Sequence, residues 1–229
     1  MRLPPIACLI ALPLLTACAP TMTTSLPVSA IITAGEGTAS LTIPATLRVP
    51  YQDNSACVDA IDRLVKRLQT VTPITGRLCT SNSSSQDYAE LETVLTLVRS
   101  ELEPSEKTLL QMTVTADTNP AQYNIHFHMT HTMPDLIALV TGDSGRTDEP
   151  LPRDMIPEFT FFLRNDLTQA VQVDASDIFV DDRPVVSNMD SPITIAPGAS
   201  PEIVLSDFAS AIVAQNGFYE MMTIYPAER

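Results

Sequence analysis

The segment that most constrains this chain is an apolar run, Ile6 to Leu15, that ends three residues before a cysteine. A membrane-spanning helix needs about 20 apolar residues, so this shorter run does not fit one. Arg2 precedes the run and small residues follow it, as in a signal peptide that is cleaved off. We therefore expect residues 1–17 to be removed and the rest of the chain to fold in an oxidising compartment.

The residues at the expected cut specify the kind of signal. The sequence Leu15-Thr16-Ala17-Cys18 resembles the L-[AST]-[GA]-C signal of bacterial lipoproteins. The resemblance implies that Cys18 is lipidated, becomes the first mature residue and anchors the chain in a bilayer, with about 0.8 kcal/mol gained per buried CH₂. Because Ala19 rather than aspartate follows, it also implies the outer membrane, facing the periplasm or the surface. The alternative is plain secretion, with Cys18 an incidental residue.

The net charge excludes one class of partner. The formal net charge is −14, and loss of Arg2 with residues 1–17 makes it −15. Nucleic acid requires clustered lysine and arginine, so it is excluded. The same charge opposes broad docking on anionic headgroups, which leaves membrane attachment to the lipid.

Two cysteines remain once Cys8 has left with the leader and Cys18 has been lipidated. An even pair in an oxidising compartment predicts a disulfide between Cys57 and Cys79. The alternative is two buried free thiols. A bridge across this separation stabilises the fold by roughly 3 kcal/mol in the chain-entropy model.

Alternating runs of valine, isoleucine and threonine favour strands, and we predict an α+β fold. A mixed or antiparallel sheet with one main helix is followed by a β-rich, sandwich-like region with a short C-terminal helix. The predicted segments are a signal peptide (1–17), a tether (18–25), a disulfide-stapled α+β region (26–141), a linker (142–154) and the β-rich region (155–229).

Several elements are predicted individually. A hairpin joins strands Leu26–Ala34 and Ala39–Val49 through a glycine-rich turn. The most secure helix carries an apolar stripe of Cys57, Ile61, Leu64, Val65 and Leu68. Tyr88 to Val98 fits either strand or helix, and we favour strand. The last helix is capped by Ser206 and stopped by Gly217. The remaining predicted elements are strands Ile74–Cys79, Leu109–Ala116, Tyr123–Thr130, Glu158–Leu163, Ala170–Val173, Ile178–Val180, Val185–Ser187, Ile193–Ile195 and Phe218–Tyr225, and a helical turn at Pro134–Val140.

These features together resemble a lipoprotein of phage and prophage genomes that carries a domain of unknown function. The resemblance rests on the lipobox, the L-R-V-P that ends the predicted hairpin, the helix starting at Cys57 and the second cysteine, Cys79. The run Phe159 to Val186, with its R-N-D and F-V-D-D-R-P-V segments, is compatible with it. It implies an envelope location and a possible phage context, and it supplies no catalytic residues.

The three histidines form the first candidate site. His126 and His128 share one face of a strand and could grip Zn²⁺ or Cu²⁺, with His131 or another group as a third ligand. The simpler interpretation is a half-buried strand whose solvent face carries imidazoles, and we expect no metal site and no cofactor.

Two further motifs are weak. Gly142-Asp143-Ser144-Gly145 copies the nucleophile segment of chymotrypsin-like proteases, but no histidine base lies well upstream, so a polar loop is expected. Asp174, Asp177, Asp181 and Asp182 lack calcium-loop spacing, which favours solvated turns.

The sequence therefore predicts a non-enzymatic, lipid-anchored binding protein of the cell envelope. Its partners would be the bilayer, through Cys18, and a protein of unknown identity. A phage context would suggest interference with superinfecting phage. The alternatives are a host envelope assembly or structural lipoprotein and, third, a metal-binding protein that uses the histidine cluster.

Overall fold

The structure, a computed structural model, describes residues 19–51, 54–81, 87–102, 108–118, 121–141, 151–185 and 192–226. Within these ranges the chain forms a 13-stranded sheet and four α-helices. The strands are β1 (Thr21–Pro27), β2 (Leu41–Tyr51), β3 (Gly76–Ser81), β4 (Asp87–Arg99), β5 (Leu110–Thr118), β6 (Ala121–Met129), β7 (Glu158–Arg164), β8 (Val171–Ala175), β9 (Ile178–Val180), β10 (Arg183–Val185), β11 (Ile193–Ile195), β12 (Glu202–Leu205) and β13 (Phe218–Pro226). The helices are α1 (Val28–Glu36), α2 (Asn54–Leu68), α3 (Met133–Thr141) and α4 (Asp207–Asn216), and a 3₁₀ turn spans Arg153–Met155.

The sheet is mixed and curls over its own inner face. Its order is β10-β9-β12-β7-β1-β2-β4-β5-β6-β13-β8-β11, with β3 paired to β4 beside that path. Only β1–β7 and β4–β5 are parallel pairs among the described strands. Phe127 of β6 nevertheless packs edge-to-face on Phe159 and Phe161 of β7, with ring centroids 4.9 and 5.2 Å apart. Since four strands separate β6 from β7 in the sheet, the inner face must close on itself around an aromatic and aliphatic core. The predicted α+β class is confirmed.

The two predicted regions, 26–141 and 155–229, share this one sheet. β7 inserts beside β1, and β13 pairs with both β6 and β8. A boundary within 142–154 therefore does not separate two sheets. Residues 142–150 of the predicted linker lie outside the described residues.

Strand β1 corrects the predicted tether at residues 18–25. Met22, Thr24 and Leu26 are buried, and the Thr24 hydroxyl donates to the Pro44 carbonyl at 2.7 Å. The threonines gave this stretch a polar appearance, but its inward residues alternate with the period of two that a strand requires. Antiparallel pairing to β2 on one side and parallel pairing to β7 on the other place β1 in the middle of the sheet.

Helix α1 corrects the first strand of the predicted hairpin, Leu26–Ala34. Its β-branched composition favoured strand, yet Val28, Ile31 and Ala34 are buried at helical spacing. Pro27 provides no side-chain cap. Instead, the Asp166 carboxylate accepts from the backbone N–H of Ser29 at 2.9 Å and from its hydroxyl, across 137 residues of sequence. A distant carboxylate thus satisfies a donor in the first turn of the helix, where anions are favoured.

The predicted helix–strand staple is confirmed. The buried stripe of α2 faces β2, β3 and β4, and Cys57 forms a disulfide with Cys79 of β3, with 6.0 Å between the two Cα atoms. Cys57 is fully buried, whereas Cys79 is half-buried.

Most of the remaining elements agree with the sequence patterns. The strand alternative for Tyr88–Val98 is confirmed as β4, and the helical turn at Pro134–Val140 as α3. Strands β9 and β11 have the predicted bounds, β10 shares only Val185 with its prediction, β12 was not predicted, and the other predicted strands appear with shifted ends. At α4 the Ser206 hydroxyl accepts from the backbone N–H of Ala209 at 3.2 Å, and Gly217 stops the helix in the left-handed region, at φ 77°. Residues 186 and 187 of the predicted strand Val185–Ser187 lie outside the described residues.

Candidate functional site

The clustered histidines lie on the outer face of the curled sheet. Along β6, Phe127 and Met129 point into the core, whereas His126 and His128 are half-buried on the opposite face, as alternation predicts. Strand β5 places Thr113 beside His126, and β13 places Phe218 beside His128. We call this group, Thr113, His126, His128 and Phe218, the histidine surface.

Phe218 and Thr113 fix the two imidazoles. The Phe218 ring lies 5.4 Å from the His126 ring and 5.0 Å from the His128 ring, measured between centroids. The Nε2 atom of His128 is 2.9 Å from the Thr113 hydroxyl, in a hydrogen bond whose direction depends on the tautomer. Burial, followed by the charge of nearby His126, lowers the pKa of His128 below its ordinary value. His128 is therefore a neutral imidazole at pH 7, engaged at one nitrogen.

His131 belongs to a different local arrangement. It follows the end of β6, and its Nδ1 lies 3.2 Å from the hydroxyl of Thr130, which in turn donates to the Thr108 carbonyl. Among the residues that the structure describes, no group of three or more His, Cys, Asp or Glu side chains is arranged to hold a metal ion. The histidine surface thus presents the aromatic ring of Phe218, flanked by the imidazoles of His126 and His128 and the hydroxyl of Thr113.

Gln111 is a functional candidate that sequence analysis missed. It lies beside His128 in the β5–β6 register and is only 1 % exposed. Within the described part of the chain, neither its amide nitrogen nor its amide oxygen has a hydrogen-bond partner. Leaving such a group unsatisfied costs about 1–3 kcal/mol. The sequence shows only that residues alternate between the two faces of β5. Gln111 is identified as a neighbour of His128 only when the register between β5 and β6 is known.

Of the four aspartates that lack calcium-loop spacing, Asp177, Asp181 and Asp182 lie in turns, as expected, whereas Asp174 lies within strand β8. Asp181 and Asp182, at φ 47° and 63°, form the two-residue loop of the β9–β10 hairpin, in the left-handed conformation that Asp tolerates. The Asp181 carboxylate also accepts from the backbone N–H of Glu202 at 3.0 Å. Asp177, at φ 56°, accepts from the Tyr219 hydroxyl at 3.2 Å. Asp174 pairs with Thr223 within the β8–β13 ladder, so the four aspartates are divided among separate elements.

The R-N-D segment also has a structural role, because its polar side chains make hydrogen bonds to the backbone. Asn165 is fully buried; its amide donates to the carbonyls of Gln169 and Ile195, both at 2.9 Å, and its oxygen accepts from the backbone N–H of Leu167. Asp166 caps α1, as described above. Ser144 of the protease-like motif lies outside the described residues, as do Cys18 and the expected leader, 1–17.

The fold and the site define the class of this protein: an α+β protein built on one curled, mixed sheet. Comparison with known proteins finds no matching family model, no matching characterised relative and no matching solved structure. No helix in the described ranges is long and apolar enough to cross a membrane.

Proposed function

We propose that this protein is a lipid-anchored, non-enzymatic binding protein of the bacterial cell envelope, with Cys18 as the lipidated residue. The observation that carries the anchor is the sequence Leu15-Thr16-Ala17-Cys18 at the end of a short apolar run. The Cys57–Cys79 disulfide supports the same address, because such bonds persist in oxidising compartments.

The histidine surface is the best-supported contact surface for a protein partner. Phe218 is 43 % exposed and is held between two imidazoles. Exposed aromatic side chains with fixed neighbours are typical anchors of protein interfaces. The imidazoles of His126 and His128 and the hydroxyl of Thr113 at its rim offer hydrogen bonds to a partner.

The binding proposal is tested by capture from envelope membranes. Lipidated protein is cross-linked to its partner in intact cells, and the variants Phe218→Ala and Phe179→Ala are compared. Phe179 is the matched control, because it is 37 % exposed but lies on β9, away from the histidines. We expect Phe218→Ala to lose the captured partner and Phe179→Ala to keep it. Equal capture by both variants would remove the histidine surface from the proposal.

The resemblance to prophage lipoproteins supports a phage-encoded role, such as interference with superinfecting phage. Neighbouring genes for capsid, tail or lysis proteins would favour that role. Neighbouring envelope-assembly genes would favour the host alternative, an assembly or structural lipoprotein. Expression in a phage-sensitive host, followed by plating efficiency with and without Cys18→Ser, tests the phage role directly.

A further inference from the structure

One end of the sheet lies next to the proposed anchor. β1 and β7 run parallel from this end, where Thr21 pairs with Glu158, and antiparallel β2 descends to it, where Thr21 pairs with Arg48. The Pro20 carbonyl accepts from the backbone N–H of Glu158 at 2.9 Å, so the chain is already fixed one residue before β1. We call this the proximal end.

The covalent chain leaves no room for a spacer at the proximal end. Consecutive Cα atoms are 3.8 Å apart, so the Cα of Cys18 lies at most about 8 Å from that of Pro20. This inference rests on the proposed lipid anchor. If Cys18 carries acyl chains in a bilayer, the proximal end lies at the headgroups and the opposite end points away.

Large apolar side chains are exposed at the proximal end. Thr21, Arg48, Glu90 and Leu78 are successive partners in one row across β1, β2, β4 and β3, and Leu78, which ends the row, is 60 % exposed. Phe208 is 63 % exposed in the first turn of α4. That helix follows β12, which runs antiparallel to β7 and therefore ends at the proximal end.

Helix α2 adds a third apolar side chain. It begins shortly after β2 has reached the proximal end, and Val58, early in this helix, is 58 % exposed. The three side chains therefore lie on elements that meet at the end of the molecule nearest to Cys18.

The charges of the proximal end are compatible with a lipid surface. Three of the four ion pairs among the described residues belong to the elements that meet there. They join Arg48 to Glu90 at 2.9 Å, Arg77 to Asp62 at 2.8 Å, and Arg153 to Asp207. Once residues 1–17 are removed the chain has a net charge of −15, and these pairs neutralise three of the carboxylates on the elements that meet at the proximal end.

We propose that the proximal end docks on the bilayer, with Leu78 and Phe208 in the interface between headgroups and acyl chains. Apolar side chains exposed on an otherwise polar surface gain free energy there, and the acyl chains of Cys18 supply the effective concentration. The lipid would then set the orientation of the body, with the opposite end presented to the surroundings.

The absence of tryptophan from the sequence makes this orientation directly measurable. Full-length lipidated protein is prepared as Phe208→Trp, Leu78→Trp and Ser40→Trp, each with one tryptophan. Ser40 is the control, because it is exposed and precedes β2 at the opposite end of the sheet. The variants are reconstituted in vesicles of phosphatidylethanolamine and phosphatidylglycerol with brominated acyl chains, which quench tryptophan at short range.

We expect blue-shifted emission and quenching at least about twofold stronger in Phe208→Trp and Leu78→Trp than in Ser40→Trp, since interfacial side chains reach about 5–10 Å into the boundary. Equal quenching in all three, or stronger quenching in Ser40→Trp, would overturn the orientation. Flotation of the same samples separates the two proposals. If the protein floats through Cys18 but the proximal variants are unquenched, the docking fails and the anchor stands. If it does not float, the anchor itself fails.

Discussion

Removal of the Cys57–Cys79 disulfide is the perturbation whose magnitude the structure defines best. The bond joins the buried face of α2 to β3, with 22 residues of separation. The loop-entropy model gives roughly 3 kcal/mol for a closed loop of this size. For a domain of about 200 residues, 1 kcal/mol corresponds to about 2–4 °C in Tm, so loss of the bond should lower Tm by about 6–12 °C.

Two versions of the experiment separate the bond from the packing of its sulfur atoms. Reduction of the wild-type protein breaks the bond and leaves both sulfurs in place. The double variant Cys57→Ala/Cys79→Ala also removes the sulfurs, and because Cys57 is fully buried it should melt a further few degrees lower. Thermal melts followed by circular dichroism measure both, with the oxidised wild type as reference.

Two outcomes would contradict this account of the disulfide. Equal Tm for oxidised and reduced wild-type protein, with free thiols verified by alkylation and mass spectrometry, would show that the staple does not stabilise the fold. Free thiols in the untreated mature protein would contradict the pairing itself.

Three further predictions concern single side chains. Burial and His126 lower the pKa of His128, so the unfolded chain binds a proton at His128 more readily than the folded protein does. The stability of the fold should therefore fall as the pH drops below about 6.5. The variant His128→Gln should make Tm depend less on pH in this range. Asp166→Ala removes the cap of α1 and should cost about 0.5–2 kcal/mol in urea unfolding, whereas Asp166→Asn, which keeps an acceptor, should cost less. Gln111→Met replaces an unsatisfied buried amide by an apolar side chain of similar size and should stabilise the protein by about 1 kcal/mol; a loss of stability would indicate a partner for the amide.

Elements with local signals could be predicted from the sequence. Helix α4 carries its own cap and stop, Ser206 and Gly217, and α2 has a continuous apolar stripe and a cysteine on its buried side. Each of these signals lies within a few residues of the structure that it specifies, so no knowledge of the sheet was needed.

The elements that sequence reasoning missed depend on distant parts of the chain. Helix α1 is capped by Asp166, and β1 is buried because β7 pairs beside it in parallel. The mixed order of the sheet brings these segments together, and no local pattern encodes that order.

The candidate site shows the same division. Alternation placed His126 and His128 on one face correctly, since the period of a strand is local. Phe218, Thr113 and Gln111 come from neighbouring strands, and only the register of the sheet identifies them as neighbours of the histidines.

The measurement that tests the central claim most directly is the mass of the mature N-terminus. Protein extracted from membranes with detergent is digested, and its N-terminal peptide is sequenced by mass spectrometry. The lipid-anchor account predicts a chain that begins at Cys18, carries acyl chains on that residue and is absent from membranes of the Cys18→Ser variant. An unmodified Cys18 in mature, membrane-associated protein would contradict it.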